Sequence, residues 1–260
     1  LTASQLTAHY HEHYSSRPPV IAVVGQFDVQ RVLHRLIAAF PVDPEPRTPV
    51  PLAGDVVHEQ PLDSTPRFLE LDRSQVQVVR TAPGIAIGDE REPELMVLLE
   101  VLGGSSGRLF RALREDRGLT YGVSADAVIG LKGGALTVHY STAPERLEES
   151  LKVLDQTLAA FVEKGPTQEE VERAQKYLRG VRRVTGQTAM SRCQELALDV
   201  VYGLGVGRSE AFDKALSGVT PEGVQALARS LLASGQVRTT LLGPKPKEEP
   251  KPVPVSQLHH

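Results

Sequence analysis

The hydrophobic and polar positions at the start of the chain predict a helix, a strand and a second helix. Thr2 begins a capping-box pattern that favours a helix reaching about residue 14. Residues 20–25 form a short apolar run that is typical of a buried strand. Asp28 is then placed to cap a helix whose apolar positions recur at helical spacing as far as Phe40.

A second and longer pattern begins after a stretch rich in proline. Residues 41–56 contain five prolines, which is typical of a linker. The predicted strands are residues 67–71, 75–82, 120–129, 134–142 and 237–243. The predicted helices are residues 92–102 and 108–116, two long ones opened by Thr142 with Glu145 and by Thr167 with Glu170, and a last one beginning at Thr220-Pro221. Strands in antiparallel pairs and helices in pairs indicate an α+β fold, an antiparallel sheet with helices packed on it.

The chain also contains a weak internal repeat. Residues 1–25 align without a gap on residues 219–243, with four identities and a shared order of helix, turn, strand and glycine. The chain is therefore expected to begin near the end of one module, whose last helix–strand–helix piece it holds, and to continue through a second. The expected limits are 1–40 for the end of the first module, 41–56 for the linker, 57–244 for the complete second module and 245–260 for a disordered tail.

Composition removes some classes of function. The chain of 260 residues has a formal net charge of −3, 5% aromatic residues and no Trp, so it offers nucleic acid neither a basic surface nor stacking platforms. No apolar run approaches the roughly 18 residues that a membrane span needs, so a soluble chain is expected. Cys193 is the single cysteine and is interpreted as a small apolar residue of a helix rather than a reactive thiol. No leader is visible, and because the repeat makes the start look truncated, the compartment is left open.

The most specific stretch is residues 102–125, LGGSSGRLFRALREDRGLTYGVSA. A helix that ends in Leu-Gly-Gly, a Ser-rich bend, Arg-Leu-Phe and then Leu-Arg-Glu-x-x-Gly-Leu-x-Tyr resembles the pattern of the pitrilysin and mitochondrial-processing-peptidase family, the inverzincin zinc metallopeptidases. Weaker matches are residues 23–28, 167–178 and the closing helix and strand. The resemblance implies that the chain is the C-terminal portion of such a peptidase, built from similar α+β modules.

The same resemblance implies two site residues. In the family the zinc helix, H-x-x-E-H, lies early in the first module, while the second module binds no zinc and contributes an Arg and a Tyr that reach the substrate. Arg114 and Tyr121, seven residues apart, fall on those positions. Such donors can stabilise the negative charge that builds on a peptide oxygen during hydrolysis, or bind neighbouring substrate carbonyls. The alternatives are a solvated salt-bridge arginine and a tyrosine that only packs at the start of a strand.

Residues 103–107, GGSSG, precede a helix and invite comparison with a phosphate-binding loop. The stretch lacks the Lys-Ser/Thr ending of a P-loop, and no βαβ pattern surrounds it. It is therefore interpreted as a flexible bend between two helices.

A second zinc-like pattern lies near the start of the chain, where residues 9–13 read HYHEH. On a helix His9 and His13 would share one face, Glu12 could activate a water, and the carboxylates of residues 90–94 could supply a third ligand. Three observations oppose this site: the helix leads at once into a strand, the repeat lays it over an ordinary closing helix, and the carboxylates follow the proline linker. The expectation is a solvated helix face and no metal ligand in this chain.

Three hypotheses about function follow. The first is a C-terminal, substrate-positioning part of a zinc-dependent peptidase that hydrolyses peptide bonds, with the zinc-bearing module mostly absent from this chain. The second is a non-catalytic partner or structural subunit that binds peptide and pairs with a zinc-bearing subunit. The third is an independent metalloprotease that uses His9 and His13. Under the first two the chain alone is inactive, zinc is expected in the full-length protein or its partner subunit, and the partners are a peptide substrate and the zinc-bearing module or a homologous subunit.

Overall fold

The computed structural model describes residues 1–15, 19–40, 65–232 and 237–244, which form two compact units. One unit consists of the described residues of Leu1–Val57 and Arg183–Arg208, and the other of those of His58–Arg182 and Ser209–His260. The linker predicted at 41–56 and the tail predicted at 245–260 lie outside the described residues. The predicted module limits stay a prediction.

In the described residues of the first unit, the α-helices are α1 (Ala3–Tyr10), α2 (Val29–Ala39) and α7 (Ala189–Val201). Both predicted caps are confirmed: the Thr2 hydroxyl accepts a hydrogen bond from the Gln5 backbone while the Gln5 side chain accepts one from the Thr2 backbone, and Asp28 caps α2. A π-helical turn, His11–Ser15, follows α1. Cys193 is partly buried on α7.

The strand predicted at residues 20–25 is not observed. These residues have no secondary structure in the described part of the chain, and the side chains of Val20, Ile21 and Val23 are exposed. The apolar run has the composition of a buried strand, but a strand also needs a neighbouring backbone that pairs with its N–H and C=O groups. No described strand supplies that pairing.

The second unit is built on a five-stranded sheet in the order β1-β5-β2-β4-β3. The strands are β1 (Arg67–Glu70), β2 (Val76–Gly84), β3 (Val123–Ile129), β4 (Gly134–Thr142) and β5 (Arg238–Gly243). The predicted α+β fold is confirmed, and neighbouring strands are antiparallel except for the edge pair of β1 with β5, which is parallel.

Alternation along the central strands separates a buried face of the sheet from an open one. On β4, Leu136, Val138 and Tyr140 are buried, whereas Thr137 and His139 are more accessible. The helices of this unit are α3 (Glu92–Gly103), α4 (Arg108–Phe110), α5 (Leu147–Lys164), α9 (Pro221–Leu232) and nearly all of α6 (Gln168–Thr185) and α8 (Arg208–Ser217), which meet the first unit at Arg183 and Arg208 along the chain. Buried apolar side chains of α3, α5 and α9 complete one core with the buried face of the sheet.

The predicted cap of α5 at Thr142 is wrong. Thr142 is the last residue of β4, paired with Val76, and its buried hydroxyl donates to the Leu119 carbonyl at 2.7 Å. The helix begins later, with a 3₁₀ turn over Pro144–Arg146. At the other end of α5, Gly165 has a φ of 69° and terminates the helix.

Gly103 lies where α3 approaches the backbone of β3. A Cβ atom at this position would lie 2.3 Å from the Ala125 amide nitrogen, far inside van der Waals contact. The stretch interpreted as a flexible bend is therefore a site of tight packing at its first glycine.

Arg108 joins the start of α4 to the turn between α5 and α6. Its Nε donates to Glu170 Oε1 at 2.8 Å, and its Nη2 donates to Glu170 Oε2 at 2.6 Å and to the Gly165 carbonyl at 2.9 Å. Its guanidinium carbon lies 5.0 Å from the centre of the Phe161 ring. Glu170 also accepts from the Thr167 backbone, while the Thr167 hydroxyl accepts from the Glu170 backbone, which confirms the predicted capping box.

These contacts decide how Glu170 titrates. Burial by itself raises the pKa of the Glu170 carboxyl, but hydrogen bonds from Arg108 and Thr167 outweigh burial and hold the pKa below its ordinary value. A carboxyl with a depressed pKa contributes stability above its unfolded pKa, about 4.3 for Glu, and loses it as the pH falls through the folded value.

We predict that Glu170→Gln lowers the free energy of unfolding at pH 7 by about 1.5–3 kcal/mol, because it replaces a charge-assisted pair that is largely shielded from water. Chemical denaturation between pH 7 and pH 3 measures this. Below a pH of about 4.3, the ordinary pKa of an unfolded Glu, the wild type loses the pair as Glu170 becomes protonated, whereas the variant has no such group to protonate. The free energy of unfolding should therefore fall less with acidification in the variant than in the wild type. The control is Glu148→Gln, which changes an exposed carboxylate and should follow the wild type. Identical acid profiles for all three proteins would show that the Arg108–Glu170 pair does not stabilise the fold.

We predict that Gly103→Ala lowers the free energy of unfolding by about 1–3 kcal/mol, because the added methyl group forces α3 away from β3. Gly133→Ala is the matched control, since a Cβ at Gly133 meets no atom within 4 Å. Thermal unfolding of both variants measures the difference, and an equal effect would show that α3 does not pack this closely.

Candidate functional site

Arg114 and Tyr121, the two residues that the sequence motif pairs, lie against each other. The guanidinium carbon of Arg114 is 4.9 Å from the centre of the Tyr121 ring and 4.8 Å from that of Phe110. Both distances are within the range of cation–π attraction. Tyr121 is 87% exposed, and Arg114 is exposed as well. The two rings therefore fix a permanently charged group at the surface.

The local fold brings these residues together across a turn. Helix α4 continues as a π-helical turn, Arg111–Glu115, which carries Arg114. Gly118 then reverses the chain with a φ of 57°, a left-handed conformation that suits glycine. Two backbone hydrogen bonds close the reversal: the Gly118 amide donates to the Arg114 carbonyl at 2.8 Å and the Leu119 amide to the Leu113 carbonyl at 2.7 Å.

The stacking leaves the polar atoms of the pair available. Among the described residues, no side-chain hydrogen bond engages the Arg114 guanidinium or the Tyr121 hydroxyl. A guanidinium offers five N–H donors and a phenol one O–H donor. The pair can therefore donate hydrogen bonds to carbonyl or carboxylate oxygens of a molecule that approaches this surface.

Tyr121 also borders a groove on the open face of the sheet, with a volume of about 570 Å³. Alternate residues of β2 and β4 line it, among them Gln77, Thr137 and His139. The Nδ1 atom of His139 lies 3.5 Å from a carboxylate oxygen of Asp126 on β3. These residues lie outside the sequence motif, although the two-residue period of β4 already predicts that Thr137 and His139 share a face.

The HYHEH stretch does not form a metal site in this structure. The centres of the His9 and His13 rings lie 4.4 Å apart, and His13 Nε2 lies 3.8 Å from Glu12 Oε2. The helix ends at Tyr10, so Glu12 and His13 lie on the π-helical turn. Within the described residues, no group of three or more His, Cys, Asp or Glu side chains is arranged to hold a metal ion.

The carboxylates considered as a source of the third ligand belong to the second compact unit. Glu92 and Glu94 lie in the first turn of α3, with Glu90 just before it. His9 and His13 belong to the first unit.

None of the helices in the described ranges has the length and apolar character that crossing a bilayer requires.

Comparison with known proteins identifies the family of this chain. The family model described as the peptidase M16 inactive domain matches residues 1–178. An uncharacterized zinc protease of Streptomyces coelicolor is 30% identical over 246 residues, which cover 89% of this chain and 51% of that protein. The chain thus spans about half the length of this curated relative.

Solved structures show the same fold. The crystal structure of a peptidase M16 inactive domain from Pseudomonas fluorescens matches with a TM-score of 0.65 and 26% identity, over 71% of this chain and 44% of that chain. A protease from Helicobacter pylori matches with a TM-score of 0.70 over 85% of this chain and 54% of that chain, but at 15% identity it shows the fold alone.

The family match includes the whole motif of residues 102–125, and with it the stacked pair of Arg114 and Tyr121. It confirms the family resemblance that this motif indicated. The chain belongs to the M16 peptidase family and contains the domain of that family described as inactive.

Proposed function

We propose that this chain is the substrate-positioning part of a zinc-dependent peptidase, and that Arg114 and Tyr121 bind the peptide where it is cleaved. The observation that carries the proposal is the exposed stack of Arg114 on Tyr121 at the rim of the groove on the open face of the sheet. The match to the inactive domain and the naming of the Streptomyces coelicolor relative as a zinc protease support it.

The described residues offer no set of metal ligands, so a zinc ion would be held by residues other than these. Hydrolysis of a peptide bond builds negative charge on the carbonyl oxygen as the tetrahedral intermediate forms. Arg114 keeps its positive charge throughout the ordinary pH range, and Tyr121 donates a neutral hydrogen bond. Either group can bind this oxygen or a neighbouring carbonyl of the peptide backbone.

The arrangement suits binding because it is formed before the substrate arrives. The rings of Phe110 and Tyr121 hold the Arg114 guanidinium in place without using its N–H donors. A donor that is already in position loses less side-chain entropy on binding and reorganises less during the reaction. The stack is therefore expected to favour the transition state more than a freely moving arginine would.

A non-catalytic role beside a zinc-bearing subunit is the second candidate. The side chains of Val29, Leu33 and Ile37, all on one face of α2, and of Phe40 at its end are exposed in the described structure. An apolar surface of this kind favours contact with a further protein surface. The presence or absence of H-x-x-E-H elsewhere in the full-length protein separates the two candidates.

We predict that Arg114→Ala lowers kcat/KM for a fluorogenic peptide by about 100-fold and Tyr121→Phe by about tenfold, because each removes a donor to the substrate. The assay uses the full-length protein, together with its zinc-bearing subunit if the protein has no zinc motif of its own. Zinc content should stay unchanged in both variants.

The control for this experiment is Arg111→Ala, which removes an exposed arginine from the same π-helical turn. It should leave turnover unchanged. Wild-type turnover in both the Arg114 and the Tyr121 variant would refute the proposed function.

We predict that the purified chain binds no stoichiometric zinc, because His9, Glu12 and His13 do not form a cluster suited to a metal ion. Metal analysis after dialysis against zinc measures this. Stoichiometric zinc that disappears in a His13→Ala variant would instead support the independent metalloprotease.

A further inference from the structure

The loop that joins the two proposed substrate-binding residues accepts hydrogen bonds from side chains that lie later in the chain. We call residues 115–120 the Arg–Tyr loop. Arg146, in the 3₁₀ turn before α5, donates from Nη1 to the Gly118 carbonyl at 2.8 Å and from Nη2 to the Arg117 carbonyl at 2.9 Å. A guanidinium can bind two acceptors in this way because its donors lie in a rigid fork.

Thr142 holds the next carbonyl of the same loop. Its hydroxyl donates to the Leu119 carbonyl at 2.7 Å, and both Thr142 and Leu119 are buried. A buried carbonyl without a donor costs about 1–3 kcal/mol, so this hydrogen bond strongly favours the observed path of the chain. Three successive carbonyls of the Arg–Tyr loop are therefore held by two side chains from the end of β4 and the turn that follows it.

The remaining hydrogen bonds of the loop are local. The Gly118 and Leu119 amides donate to carbonyls of the preceding turn, and the Thr120 hydroxyl pairs with the Gly122 backbone. Local bonds close the reversal, and the buried Leu119 side chain packs in the core. Arg146 and Thr142 add hydrogen bonds that attach the loop backbone to the end of β4 and to the turn that follows it.

We propose that Arg146 and Thr142 are positioning residues, which act on the substrate through the Arg–Tyr loop and the stacked pair at its ends. This inference rests on the proposed function of Arg114 and Tyr121. The Arg146 side chain is 38% exposed, and its ion pair with Glu149, at 3.6 Å, is a surface contact of little worth by itself. The two carbonyl contacts are thus the specific contribution of Arg146.

The kinetic test compares Arg146→Ala, Arg146→Lys and Glu149→Gln in the full-length enzyme. Displacement of a substrate-binding group by about 1 Å can cost about 100-fold in rate, so a loosened loop should lower kcat about tenfold. Arg146→Lys should not restore the rate, because a single ammonium lacks the fork. Glu149→Gln is the control, since it removes the ion pair and leaves both carbonyl contacts intact. Arg146→Ala combined with Tyr121→Phe should lose less than the product of the two single effects.

Hydrogen exchange supplies a readout independent of activity. In Arg146→Ala the Gly118 and Leu119 amides should exchange at least about tenfold faster, at an unchanged melting temperature, because the loop opens locally. Thr142→Val should have the same local effect, and Thr142→Ser, which keeps the hydroxyl, should restore slow exchange.

The outcomes separate this inference from the proposal on which it rests. Wild-type exchange in Arg146→Ala and Thr142→Val would overturn the inference, as would independent effects of Arg146→Ala and Tyr121→Phe on kcat. If Arg146→Ala is fully active while Tyr121→Phe is impaired, the inference fails and the proposed function stands. If Arg114→Ala and Tyr121→Phe are both fully active, the proposed function fails first.

Discussion

The two-residue period of β4 links the core of the second unit to the candidate site. Because β4 pairs with strands on both sides, each of its side chains must point to one face of the sheet or the other. Val138 and Tyr140 enter the core, and Thr142 on the same face reaches the Leu119 carbonyl. His139 lines the groove on the open face. One face of β4 thus supplies a hydrogen bond to the Arg–Tyr loop, and the other face lines the groove that Tyr121 borders.

Much of the fold could be predicted because its signals are local. Capping at Thr2, Asp28 and Thr167 involves residues three positions apart, so the sequence shows both partners at once. The parallel pairing of β1 with β5 joins segments from opposite ends of the second unit, and no local pattern encodes it. The prediction of a strand at residues 20–25 was wrong for a related reason, because strand formation depends on a pairing partner that the hydrophobic pattern does not reveal.

The motif singles out the two residues of the candidate site but not the side chains that hold the loop between them. The motif names Arg114 and Tyr121, and the six residues between them, which include Gly118, are compatible with the observed reversal. Arg146 was not predictable, because its partners are backbone carbonyls, which every residue possesses. Thr142 was misassigned for the same reason: its hydroxyl was expected to cap the following helix, yet tertiary structure offered it the buried Leu119 carbonyl instead.

The structure separates the groups that hold the fold from those proposed to act. Gly103, Thr142 and the Arg108–Glu170 pair are buried or nearly so, and each satisfies a packing or hydrogen-bonding demand of the core. Arg114 and Tyr121 are exposed, so the folded state gains little from their polar atoms. A surface arginine stacked between two rings contributes about 0.5–1 kcal/mol per ring at most, which is small beside the whole free energy of folding. The folded state therefore does not depend on this pair, and the substrate binding that we propose accounts for its stacked arrangement at the ends of the anchored loop.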